Sequence, residues 1–117
     1  MIDPKLLCNK HLLGEHGEIH KHKHNFEKKH KIDGRLNPIV QIEPNSMKVR
    51  HDELCKEMEF RKMNHNSPYD MPDLNYLSDE HRYAKVDLNI SIVDLCNRCD
   101  ECNLKILDKV DMEIINS

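Results

Sequence analysis

The first thirty residues place apolar side chains at helical spacing. Leu12, Ile19 and Phe26 recur every seven residues and would form one stripe on a helix. Asp3-Pro4 is typical of a helix start, since Asp is a favoured N-cap and proline is tolerated in the first turn. The pattern therefore predicts a first helix from about residue 4 to about His30.

A second helix is predicted over 47–63, with Ser46 at its N-cap position. Five residues of this segment fall near helical spacing: Val49, Leu54, Cys55, Met58 and Met63. The preceding residues, 31–46, are predicted to be a loop in which "PIVQI" forms a short extended piece. After the long connection "NHNSPYDMPDLNYLSDE", apolar residues recur in 86–108 and predict a third helix there.

Composition supports a helical reading of the whole chain. The 117 residues include only three glycines, and Asp33-Gly34 is the sole dipeptide typical of a β-hairpin turn. The length fits one domain, 1–117, although 108–117 is weakly patterned. We therefore predict an all-α fold: a compact single domain of about three main helices with long irregular connections.

The charge of the chain is unevenly distributed. The net charge is −3, but residues 1–35 hold eight Lys or Arg against five Asp or Glu, with six of the nine histidines. A nucleic-acid surface is therefore expected in the first third. The sequence shows neither a membrane-spanning run nor a secretion signal, and its five cysteines are an odd number. We expect reduced thiols in the cytoplasm.

One stripe of the first helix concentrates ionisable groups. His11, Glu15, Glu18 and His22 fall within about 60° of one another at 100° per residue. Such a stripe is either an acid–base site or an ordinary solvated helix face. Gly14 and Gly17 in the same helix predict that a packed helix or a ligand approaches the backbone closely there.

Two clusters resemble parts of metal sites. The histidine pairs His16/His20 and His20/His24 lie one turn apart and could share a divalent ion. "CNRCDEC" contains Cys96, Cys99 and Cys102, whose spacing fits part of a zinc site with a fourth ligand from Cys8, Cys55 or a histidine. The same three cysteines would also form a buried stripe on a continuous helix, so core packing is the alternative. No role for them in catalysis is expected.

Two stretches together resemble the phage pyrimidine-dimer DNA glycosylase family of the endonuclease V type. "NKHLLGEHGEIHKHKH" carries the His-Leu pair and the two glutamates of the family's first helix. "RHDELCKEMEFRKMNHNSP" carries the features of its second helix. The matching positions are His11-Leu12, Glu15 and Glu18, then Arg50, Leu54, Glu57 and Arg61-Lys62. The resemblance covers about residues 3–70.

The resemblance implies a compact all-α enzyme that cleaves the glycosidic bond at a DNA photodimer and then cuts the strand at the abasic site. It implies no metal, an α-amino nucleophile at the N-terminus, and an essential carboxylate at Glu18. Because Ile2 is bulky, we expect Met1 to be retained and to carry that amine. The expected catalytic residues are Met1, Glu18, Glu15 and His11.

The expected partner is damaged or modified double-stranded DNA, with no membrane and no cofactor. The expected contacts surround the cleft between the first two helices: Lys21, Arg50, His51, Arg61 and His65. Two alternatives remain open on the sequence. One is a non-catalytic nucleic-acid or protein-binding module on the same scaffold, and the other is a small zinc-stabilised protein.

Overall fold

A computed structural model describes residues 1–37, 39–63 and 68–116, with side chains as far as residue 109. The described residues contain five α-helices and no strand. The helices are α1 (Asn9–Glu27), α2 (Met47–Phe60), α3 (Asp79–Arg82), α4 (Leu88–Arg98) and α5 (Asp100–Asn116). Short 3₁₀ turns lie at Pro4–Leu6, Asp33–Arg35 and Pro44–Ser46. The predicted all-α fold is confirmed.

The N-terminal segment differs from its prediction. Asp3 is a cap, and its carboxylate accepts the Lys5 amide at 3.0 Å, but it caps the 3₁₀ turn rather than α1. The chain extends at Leu7 and Cys8 before α1 begins at Asn9. The predicted single helix is therefore a turn followed by a helix, and residues 1–8 are free to fold against α2 and α5, which contact this turn.

The predicted third helix is two helices. Cys99 has extended backbone angles, φ −140° and ψ 111°, which end α4 and allow α5 to fold back against it. Asp87 caps α4 by accepting the Ile90 amide at 3.0 Å. The prediction of a continuous helix over 86–108 is wrong, and Cys96 is consequently separated from Cys99 and Cys102.

One core joins all of the long helices. The predicted stripe of α1 is confirmed, because Leu12, Ile19 and Phe26 are all buried. Other buried apolar side chains come from α2, α4 and α5: Met47, Leu54, Met58, Leu95, Cys102 and Ile106. The C-terminal hairpin, formed by α4 and α5, thus shares its core with the N-terminal helices. None of the described helices combines the length and apolar character that a bilayer crossing requires.

Candidate active site

A buried arginine holds the N-terminal segment against α1. Arg50 of α2 is 2% exposed, and its Nη1 donates to the Ile2 carbonyl at 2.6 Å. Its Nε and Nη2 both donate to the carboxylate of Glu15, the latter at 2.9 Å. This two-pronged pairing is the strong form of an arginine–carboxylate contact. Arg50 and Glu15 therefore fix the backbone one residue away from the N-terminal amine.

A second arginine, Arg61 at the C-cap of α2, binds the 3₁₀ turn that follows Ile2. Arg61 Nη2 donates to the carbonyls of Leu7 at 2.7 Å and Pro4 at 3.2 Å, and its Nη1 donates to Asn9 at 3.0 Å. Its Nε lies 3.5 Å from the carboxylate of Glu57, which balances its charge. The two guanidinium groups, one within α2 and one at its C-cap, thus hold residues 2–9.

The segment held in this way forms one wall of a small cleft. The cleft has a volume of about 160 Å³. Its lining includes the N-terminal residue, three ionisable side chains of α1, and Arg50: Met1, Glu15, Glu18, His22 and Arg50. Glu18 is exposed to solvent. The structure therefore brings together three of the four residues expected to be catalytic.

His22 is the cleft group with a perturbed pKa. Burial lowers its pKa from 6.5, the positive charge of Arg35 lowers it further, and the carboxylate of Glu18 partly opposes these effects. The neutral imidazole is therefore the form that the cleft favours near pH 7. A neutral ring beside Glu18 can accept a proton, which is a role that a charged ring could not fill.

A larger cleft of about 1090 Å³ adjoins the same N-terminal residue. Met1 and Arg50 line both clefts. The larger cleft is also lined by three lysines, Lys5, Lys56 and Lys105. The ring of Phe60, which is 83% exposed, lies there as well. This volume lies at the upper end of pockets that bind small organic ligands. The smaller cleft, at about 160 Å³, falls below the volume typical of such pockets.

The structure describes four of the five residues expected to contact DNA, and they differ in exposure. Lys21 is exposed on α1. Arg50 and His51 are buried, and Arg61 is committed to the N-terminal turn. In this conformation these three do not present free side chains to a phosphate. His65 lies outside the described residues.

His11 is not among the residues that line the small cleft, and it contacts cysteines instead. Its Nδ1 lies 3.1 Å from Cys8 Sγ and 3.7 Å from Cys102 Sγ. The fourth member of the group is Cys99, whose Sγ is 3.7 Å from that of Cys8. The four potential ligand atoms lie within 4.8 Å of one another, so the cluster could bind a metal. The predicted catalytic role of His11 stays a prediction.

A second group of possible ligand atoms is made of histidines. His16, His20 and His51 bring their ring nitrogens within 4.8 Å of one another. The ring of Tyr69 stacks on His51 at 5.4 Å between centroids. His24 instead faces His30, at 6.3 Å. The sequence suggested the pair His16/His20, but it gave no sign that His51 of α2 would join them.

The two glycines of α1 do not mark a close approach. A Cβ added at Gly14 or Gly17 would meet no atom within 4 Å. Both positions face open space, so no described helix packs closely on the backbone there and that prediction is wrong, whereas a ligand at the backbone stays a prediction.

The structure is a small helical domain in which the N-terminal residue, Met1, and the carboxylate of Glu18 line the same cleft. Residues 1–71 match the family described as pyrimidine dimer DNA glycosylase. This match covers more than half of the chain, so the protein belongs to that family. No curated protein and no solved structure matched it. Membership indicates a DNA glycosylase that acts on damaged DNA, as the resemblance over 3–70 implied.

Proposed function

We propose that the protein excises pyrimidine dimers from double-stranded DNA and then cuts the abasic strand, using the Met1 α-amine as nucleophile and Glu18 as the essential carboxylate. The observation that carries this proposal is the shared cleft: Met1 and Glu18 line it together. Arg50 holds the Ile2 carbonyl at 2.6 Å beside it. The family match supplies the class of reaction.

An α-amine suits this chemistry better than a lysine. Its ordinary pKa is about 7.7–8.0 against about 10.4 for lysine, so near neutral pH far more of it is unprotonated. The nitrogen lone pair forms a bond to the sugar C1′ while the C1′–N bond to the base breaks. Opening of the sugar ring, with a proton delivered to O4′, leaves an imine between Met1 and C1′.

Glu18 has two tasks in this scheme. Its negative charge stabilises the positive charge that develops on the sugar as the base departs. The carboxylate, with the neutral ring of His22 as its neighbour on the cleft, then moves the C2′ proton. Loss of that proton breaks the C3′–O bond and cuts the strand, and water hydrolyses the imine to release the amine.

Exposed cations near the cleft would bind the phosphates. Lys21 is adjacent to His22 on α1, and the charge of Arg35 is felt at His22. Both cations are exposed. The larger cleft beside Met1 would receive a nucleotide turned out of the helix, a rearrangement that costs least at a distorted lesion. Arg50 and Arg61 act as positioning residues for the N-terminus, with Glu15 holding Arg50.

Borohydride trapping on an abasic duplex tests the proposal directly. Reduction of the imine should link the protein covalently to DNA, and peptide mapping should place the link at residue 1. Glu18→Gln should bind DNA normally but slow base excision about 10²- to 10³-fold, the usual loss when one charge-stabilising group is removed. Glu27→Gln is the control, since Glu27 is an exposed glutamate on the same helix.

The outcomes separate the parts of the proposal. A link at Lys5 or Lys21 would keep the reaction class and refute the nucleophile. An adduct at residue 1 with a normal rate in Glu18→Gln would refute the role of the carboxylate. No adduct and no excision in wild type would leave a DNA-binding or protein-binding module.

A further inference from the structure

We propose that Cys8, His11, Cys99 and Cys102 form a structural zinc site that joins the C-terminal hairpin to α1. The ligand set is three thiolates and one imidazole, which is a common set for structural zinc. The site is separate from the Met1–Glu18 cleft. It does not depend on the proposed reaction.

The distances already approach those of a tetrahedral zinc site. Bonds of about 2.3 Å to sulfur and 2.0–2.1 Å to nitrogen place tetrahedral ligands about 3.8 Å apart for two sulfurs and about 3.6 Å apart for sulfur and nitrogen. The Cys8–Cys99 sulfur distance is 3.7 Å. His11 Nδ1 lies 3.1 Å and 3.7 Å from the sulfurs of Cys8 and Cys102. Small side-chain rotations would complete the geometry.

Local structure explains why the four groups converge. Cys8 is the N-cap of α1 and His11 its third residue. Cys99 directly precedes α5, and Cys102 is the third residue of that helix. Each helix thus contributes a pair with the same spacing from its first turn. The positive ends of two helix dipoles meet at the cluster. Burial raises the pKa of the Cys102 thiol to about 12, and a bound metal ion would deprotonate the thiols that coordinate it.

Backbone amides support the sulfurs. The Cys8 amide donates to Cys102 Sγ at 3.2 Å, and the Cys102 amide donates to Cys99 Sγ at 3.5 Å. Such contacts orient metal-bound ligands and balance their charge. Core packing accounts for the buried Cys8 and Cys102. It does not account for a half-buried imidazole directed at two sulfurs.

Zinc is the metal that this ligand chemistry selects. Thiolates are soft ligands, and a tetrahedral set of sulfur with one nitrogen suits zinc, whereas magnesium and calcium require oxygen. Four protein ligands leave no open position for substrate, so the site would be structural. It would fasten residues beyond the family match at 1–71 to the helix that carries Glu18.

Elemental analysis of the untagged, reduced full chain tests this proposal. Wild type should contain one zinc per chain, and only Cys55 and Cys96 of the five thiols should react with a thiol reagent until a chelator is added. Cys99→Ser should lose the zinc. Cys96→Ser is the matched control and should keep it, because Cys96 lies outside the cluster.

A second pair of variants guards against simple misfolding. His11→Ala should lose zinc, whereas His11→Cys, which restores a ligand at the same position, should keep it with a stronger thiolate-to-cobalt absorption after cobalt substitution. Wild type without zinc, or Cys99→Ser with full zinc, would overturn the proposal. So would a Cys8–Cys99 disulfide in the freshly isolated protein, or zinc that depends on Cys96.

Discussion

Replacement of Arg50 by lysine separates two roles for this residue, a contact with DNA and a clamp on the N-terminus. Lysine keeps the positive charge but has one nitrogen in place of the three that donate to Glu15 and Ile2. It cannot satisfy all three acceptors at once. If the single ammonium reaches one of the three acceptors, two hydrogen bonds that involve a charged group are lost, and each contributes about 1.5–3 kcal/mol.

The expected loss of unfolding free energy is therefore about 3–6 kcal/mol, a large share of the 5–15 kcal/mol typical of a domain. Catalysis should fall as well, because Ile2 is no longer held and the amine of Met1 moves. A misplacement of about 1 Å commonly costs about 10²-fold in rate. The affinity for DNA should change little, since the Arg50 side chain is 2% exposed.

Three measurements on Arg50→Lys decide between the roles: urea unfolding, the single-turnover rate of borohydride trapping at saturating abasic DNA, and the dissociation constant for the same duplex. Arg98→Lys is the control, because its pair with Asp94 is exposed at the surface and should contribute less than about 1 kcal/mol. A folded Arg50→Lys with a normal trapping rate would refute the clamp. Weaker DNA binding with an unchanged trapping rate at saturating DNA would instead support the predicted contact of Arg50 with a phosphate.

Three further predictions concern charge and backbone conformation. The pKa of His22 is lowered below 6.5 in the folded protein, so the unfolded chain binds more protons than the folded one as pH falls below 6.5. The unfolding free energy should therefore decrease at low pH, and decrease less in His22→Gln. Urea unfolding across pH 5–7.5 measures both. Lys29 has a left-handed backbone, with φ of 55°, so Lys29→Gly should raise the unfolding free energy by about 1 kcal/mol, and an unchanged or lower melting temperature would contradict this. Lys21→Ala should reduce the slope of log affinity against log salt by about 0.9 if Lys21 contacts one phosphate, whereas Lys109→Ala on α5 should not.

The sequence predicted the helical class well because its apolar spacing is regular where helices pack. It failed at Cys99, since three cysteines at equal spacing also fit one continuous helix. A usable signal was present: Asp100 and Glu101 follow Cys99, and acidic residues are typical of a first helical turn. That pattern would have divided the helix and removed Cys96 from the predicted zinc ligands.

The expected catalytic stripe shows a limit of helical projection. His11, Glu15, Glu18 and His22 share an angular sector, but His11 lies seven residues before Glu18, which is about 10.5 Å along the axis. A projection down the helix axis shows the angle between two side chains but not their separation along the axis. The structure accordingly places His11 with the cysteines at the start of α1, and Glu18 and His22 on the cleft.

Arg50 is buried and Arg61 is half-buried because of tertiary contacts that the sequence does not encode locally. Arginine side chains are ordinarily exposed, so a surface role was the natural expectation. Here the chain before α1 turns the backbone carbonyls of Ile2 and Leu7 towards the two guanidinium groups, which donate to them. Arg61 also donates to the Pro4 carbonyl, which already accepts the Leu7 amide at 3.1 Å. Polar groups near a core require such partners.

The catalytic proposal and the zinc proposal meet at the first turn of α1. Residues 1–71 contain Met1, Glu18 and the arginines that hold the N-terminus. The chain beyond them contributes Val86 and Ser91 to the small cleft and Lys105 to the large one. It also packs Cys102 and Ile106 into the shared core. Since α5 contacts the 3₁₀ turn at Pro4–Leu6, a zinc ion at Cys8 would fasten the hairpin to the same segment that Arg50 and Arg61 hold. With zinc bound, the N-terminal segment would be held from both sides, by the arginines at α2 and by the hairpin.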